Sequence, residues 1–170
     1  MTTQHWSIAI HGGAGVMDRA KMPSTCQREE GASRDAALDA GIAVLERGGG
    51  ALDAVEAAVV VLEDDPHFNA GRGAVFAYDG TIELDAAIMD GANRRAGAVA
   101  GVVGVRNPIR LARAVMDEGI HVFLAGKGAE EFARTHEIAF ADPPWFATPE
   151  RRRQWEEMKA RKAGWFDAEV

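Results

Sequence analysis

LEDDPHFNAGRGAVFAYDGTIELDAAIMDG, residues 62–91, runs an acidic turn, a glycine-interrupted loop and a two-strand pattern together without slack. Asp79 and Gly80 lie between two β-prone runs, the strongest short-range hairpin signal, and predict strands over 74–78 and 81–89. Upstream, WSIAI at 6–10 is a short apolar run broken at once by HGGAG at 11–15, which predicts a buried strand ending in a tight turn. Glycines at 12, 13, 15, 71 and 73 beside a polar Asn69 let the backbone approach a ligand closely, so the two loops together nominate an active-site wall.

Helical spacing surrounds these loops. Apolar positions recur over 29–47, and Gly48, Gly49 and Gly50 supply the stop; a second helix follows over 51–62. Both are rich in Ala, which permits close packing against a sheet. Residues 96–106, AGAVAGVVGVR, hold no charge before Arg106 and predict a central strand covered on both faces. Pro108 opens a helix over 109–118, HVFLAG at 121–126 reads as a strand, and the next ten residues as a short helix. Asp142, Pro143, Pro144 and Trp145 read as a turn. Residues 1–136 thus form the body of one domain, and the charged 137–170 a surface segment and linker. Alternating helices and strands with an antiparallel hairpin indicate a layered α/β (α+β) architecture.

Composition narrows the function classes. With 170 residues, 47% of them apolar, the chain builds a core without disulfides or metal. A net charge of −7 argues against nucleic acid or an anionic membrane as partner. Cys26 is the single cysteine, which excludes an intramolecular disulfide and fits a reducing, cytoplasmic setting. No apolar run approaches the roughly 18 residues of a membrane span.

The motifs exclude as much as they suggest. HGGAG lacks the Lys-Ser/Thr of a phosphate loop and the glycine spacing of a dinucleotide site. Taken by itself it is a strained turn, and His11 a buried, satisfied histidine. The carboxylates from Glu63 to Asp90 lack the order of a calcium loop, so solvation or helix capping is their ordinary role, although carbonyls around a tight turn can ligate a hard alkali cation. No G-x-S-x-G elbow occurs and Cys26 has no papain-like surroundings. The chain carries no well-placed nucleophile.

In order, IAIHGGAG, LERGGGALDAVEAAVVVLEDDPHFNAGRGAVF, GTIELDAAIMDG and AGAVAGVVGVRNPIRLARAVM resemble the plant-type asparaginase / isoaspartyl peptidase family over about 8–136. That family consists of N-terminal-nucleophile hydrolases made as one precursor that cuts itself into α and β subunits, and this chain resembles the α subunit. The resemblance implies a four-layer αββα sandwich shared with a separate β subunit, an (αβ)2 heterotetramer, and a nucleophilic Thr at the start of β. It further implies that Asn69 lies beside that Thr, that Gly12 and Gly13 form a glycine loop near the cleavage site, and that Leu62, Glu63, Asp65, Phe68, Ala70 and Arg72 hold a structural sodium ion through main-chain carbonyls. No organic cofactor is implied. Family α chains end on Gly or another small residue, whereas this one ends on Glu169 and Val170. The implied substrates are L-asparagine and β-aspartyl dipeptides. Two other readings stay open: a glycosylasparaginase, and a non-catalytic α/β module that binds a small ligand.

Overall fold

The computed structural model describes residues 5–12 and 24–161, with 24–30 described as backbone. Six helices and a small sheet are present: α1 (Ser24–Glu46), α2 (Ala51–Asp64), a 3-10 turn (Gly71–Gly73), β1 (Leu84–Met89), β2 (Ala96–Val102), α3 (Pro108–Glu118), β3 (Phe123–Ala125), α4 (Gly126–Thr135), α5 (Pro143–Phe146) and α6 (Pro149–Ala160). The α+β class follows from this mixture. No helix among the described residues is long and apolar enough to cross a membrane.

α1 to α4 form close to where the apolar spacing places them, whereas α5 and α6 arise in the segment read as a turn and a charged surface linker, and small residues set how closely the first two pack. α1 ends where Gly48 takes the left-handed region at φ +78° and its N–H reaches Leu45 O at 2.9 Å. α1 and α2 meet across Gly41: a Cβ there would stand 3.1 Å from Ala54 O and 3.6 Å from Ala58 Cβ. β2 rests on α3 in the same manner. A Cβ at Gly97 would meet Ala112 O at 2.1 Å and Met116 N at 2.5 Å, so only glycine allows the strand to lie on the helix.

The sheet order is β1-β2-β3, antiparallel between β1 and β2 and parallel between β2 and β3. Leu84, Ile88, Val99 and Val102 on its inner face join Leu111, Val115, Ala129, Ala133 and Phe146 in one core. The pairing departs from the predicted hairpin. Asp79 and Gly80 do make a turn, with Gly80 at φ +93° and the Thr81 N–H on Asp79 Oδ1 at 2.9 Å, but no ladder extends from it and 74–78 is not a strand. The hairpin instead turns at Asp90, whose N–H reaches Arg95 O at 2.8 Å, and β1 pairs with β2.

Three further expectations are corrected. Residues 6–10 form no ladder with any described strand; Ile8 packs against Gly41 of α1. β2 ends at Val102, since Gly101 and Gly104 adopt left-handed φ values of +60° and +77°, and Asp85 Oδ1 takes the Gly101 N–H at 2.8 Å in a bulge. One face of β2 is covered, by α3 and α4; on the other, Phe123 of the neighbouring strand is 56% exposed. Residues 143–146, read as a turn, close one helical turn that buries Phe146.

Candidate functional site

The loop after α2 owes its shape to a proline and two glycines. Pro66 has no N–H to continue the helix, and the C-cap Asp65 is extended at φ −91°, ψ 126°. This leaves the last carbonyls of α2 without intrahelical donors. The chain then folds back until Gly71, at φ +45°, lies so close to Glu63 that a Cβ would stand 2.3 Å from its carbonyl oxygen. A Cβ at Gly73 would stand 2.1 Å from Phe68 O and 2.5 Å from Pro66 O. Among the described residues no hydrogen bond is donated to the carbonyls of Leu62, Glu63, Asp65 or Phe68, whereas Ala70 O accepts Gly73 N–H at 3.0 Å. The Gly71–Gly73 turn thus wraps around a set of unpaired carbonyl oxygens, the donor chemistry a hard cation takes.

Side chains anchor this loop on both sides. Asp65 accepts the His67 backbone N–H at 2.8 Å and contacts His67 Nδ1 at 2.7 Å. Partial burial pushes the Asp65 carboxyl upward, but hydrogen bonds from Ser33 and His67 outweigh it and hold the group below the usual aspartate range. Glu63 is buried, 2% exposed, and its Oε1 accepts the Ile109 N–H at 2.9 Å, capping α3. Oε2 has no partner among the described residues. Burial pushes the Glu63 carboxyl up to about 8, with the Ile109 N–H and the Asn107 amide pulling the other way.

The wall itself joins the two glycine loops. A Cβ on Gly12 would meet Arg34 Cδ at 2.9 Å and Phe68 Cε1 at 3.0 Å, so Gly12 sits against the residue preceding Asn69. Gly12 is therefore favoured by close approach, and its own φ lies outside the left-handed region, so it is not where the HGGAG turn would be strained. Gly13 lies outside the described residues. His11 is exposed, which corrects its reading as a buried histidine; its neighbour Gly12, not His11, faces the packed side. Asn69 is exposed too, and its Oδ1 accepts the Val75 N–H at 2.9 Å, a bond that pattern reading missed because it spans six residues of loop. The Asn69 NH2 donates to no described residue.

Leu62, Glu63, Asp65, Phe68, Ala70 and Arg72 span the last turn of α2, the loop after it and the Gly71–Gly73 turn. No group of three or more His, Cys, Asp or Glu side chains arranged for a metal occurs among the described residues. A cavity of about 420 Å³ lies elsewhere, between Phe76, Ile82, Val103, Pro144 and Phe146, with Arg152 at its edge. Its walls are mainly apolar and hold no pairing of a nucleophile with a base.

A family model described as asparaginase matches residues 4–168. The chain is 49% identical over 156 residues to a plant-type L-asparaginase of Pyrococcus abyssi, covering 91% of this chain and 48% of that protein. To an isoaspartyl peptidase of Salmonella typhimurium it is 47% identical over 157 residues, covering 92% and 50%. To an isoaspartyl peptidase of Escherichia coli it is 46% identical, again over 157 residues, covering 92% and 48%. The chain spans about half the length of these relatives.

Proposed function

Because the chain belongs to the asparaginase family, we propose that it is the α part of an enzyme hydrolysing the side-chain amide of L-asparagine and the β-aspartyl bond of isoaspartyl dipeptides. The observation that carries this reading is the meeting of Gly12 with Phe68 beside the exposed Asn69, a wall that holds no nucleophile among the described residues. The nucleophile is a Thr at the head of a β subunit cut from the same precursor, where its own α-amino group serves as base. Its hydroxyl adds to the side-chain carbonyl, ammonia or an amine leaves, and water resolves the β-aspartyl ester. The Asn69 NH2 orients the nucleophile. Gly12 and Gly13 shape the cleavage site.

The rest of the assembly belongs to the same proposal, and one exposed sheet face supports it. The outer sheet face carries Ala87, Met89, Ala98 and Phe123, with Met89 and Phe123 well exposed; a second sheet from β covers it, giving the four-layer αββα sandwich and an (αβ)2 heterotetramer. The 6–10 segment finds its ladder partner there as well. Carbonyls of Leu62, Glu63, Asp65, Phe68, Ala70 and Arg72 hold a structural sodium ion, which stiffens the loop and takes no part in bond making. The single Cys26 suits a cytoplasmic enzyme.

Purification of the full-length protein tests the reading. Intact mass and N-terminal sequencing should find a second chain beginning with Thr, and the complex should release ammonia from asparagine or cleave β-aspartyl dipeptides. A glycosylasparaginase would instead require the sugar-linked substrate. An uncut protein inert toward all three substrates, or hydrolysis by the isolated 170-residue chain, overturns it.

A further inference from the structure

Residues 74–78 have the composition of a strand yet pair with none, and the reason lies on α6. Arg151, Trp155 and Lys159 recur every four residues along one face of that helix. Each donates to a carbonyl of the 73–78 segment: Arg151 Nε to Gly73 O at 2.7 Å, Trp155 Nε1 to Ala77 O at 3.0 Å and Lys159 Nζ to Tyr78 O at 3.1 Å. Aromatic contacts reinforce the row. Lys159 Nζ lies 4.0 Å from the Tyr78 ring centroid, Trp155 and Phe76 have centroids 5.8 Å apart, and Gly80 leaves room for the indole, 3.2 Å from where a Cβ would stand.

The same segment holds Asn69. Gly73 O is fastened by Arg151, and two residues on, the Val75 N–H is the group that Asn69 Oδ1 accepts. We propose that α6 is a brace for the catalytic wall, with Arg151 as a positioning residue: by holding Gly73 O it fixes 73–75, and through the Val75 N–H it fixes where the Asn69 amide points. Arg151 touches no substrate in this scheme. Its influence on turnover rests on the function proposed above; its influence on the backbone does not.

Two readouts on the full-length, processed protein separate these. Arg151→Met keeps the length and apolar stem but removes the donor, and Val75 amide exchange should quicken by at least about tenfold, the scale for losing a charge-assisted bond. The kcat for asparagine should fall while KM holds, and Arg151→Lys, which restores a donor, should recover much of both. Trp155→Phe, which keeps a ring and deletes only the indole N–H, should loosen the same segment and covers the case of a poorly folding Arg151 variant. Unchanged Val75 exchange in both donor-deleting variants overturns the brace. Faster exchange with unchanged kcat overturns the positioning role. Should the wild-type protein hydrolyse no amide at all, the proposed function fails and the exchange comparison decides the brace by itself.

Discussion

Glu63 Oε1 accepts the backbone N–H of Ile109 at 2.9 Å across 46 residues of chain, so one buried carboxyl ends α2, begins the candidate cation loop and caps α3. Burial holds it at about 8 in the fold against an ordinary 4.5. The folded state therefore favours the protonated form. Its contribution to stability is complete below about pH 4.5 and is lost as pH rises through about 8. Glu63→Gln keeps the acceptor for Ile109 without the titration. It should match the wild type near pH 4 and exceed it by roughly 2 to 4 kcal/mol above pH 8.5, read from urea midpoints. Parallel stability curves for the two proteins would refute a neutral Glu63.

Asn69 has two separable jobs. Asn69→Asp preserves an acceptor for Val75 and removes the NH2, whereas Asn69→Ala removes both. Turnover by the processed enzyme should fall at least about tenfold in each, while only the Ala variant should lose about 0.5 to 1.5 kcal/mol of stability. Full kcat in either variant would exclude Asn69 from orienting the nucleophile.

Gly12 tolerates no side chain because of its neighbours. Arg34 Cδ and Phe68 Cε1 stand 2.9 Å and 3.0 Å from the Cβ position, so Gly12→Val must displace Phe68, the residue next to Asn69. We expect slower appearance of the cleaved chains on a time-course gel, and partial recovery on shortening Arg34 to Ala. Normal processing of Gly12→Val would remove this turn from maturation.

Carbonyls gathered by Gly71 and Gly73 should make thermal stability depend on the identity of the cation. At a sodium concentration about 100 times the dissociation constant, binding adds about 2.7 kcal/mol, which raises Tm by several degrees over the same ionic strength of tetramethylammonium. Equal Tm in the two salts would leave the loop without a cation.

Helix placement is local chemistry, and for α1 to α4 it was legible, whereas α6, with sparse apolar anchors, was read as a surface linker. Apolar spacing, Pro108 at the start of α3 and left-handed Gly48 after α1 each act within a few residues. The order of motifs likewise pointed to the family. Strand pairing was not legible, because Asp79-Gly80 and Asp90-Gly91 are the same dipeptide and both make turns. What separates them is distant: α6 donors claim the carbonyls of 73–78, while α3 accepts Gly97 of β2 against its backbone and so seats the 84–102 hairpin. The capping of α3 by Glu63 and the tie from Asn69 to Val75 were equally hidden. Sequence by itself determined which segments bend, coil and avoid water; which backbone groups they would meet was decided only by tertiary structure, since a carbonyl or N–H looks the same at every position until the fold brings a donor to it.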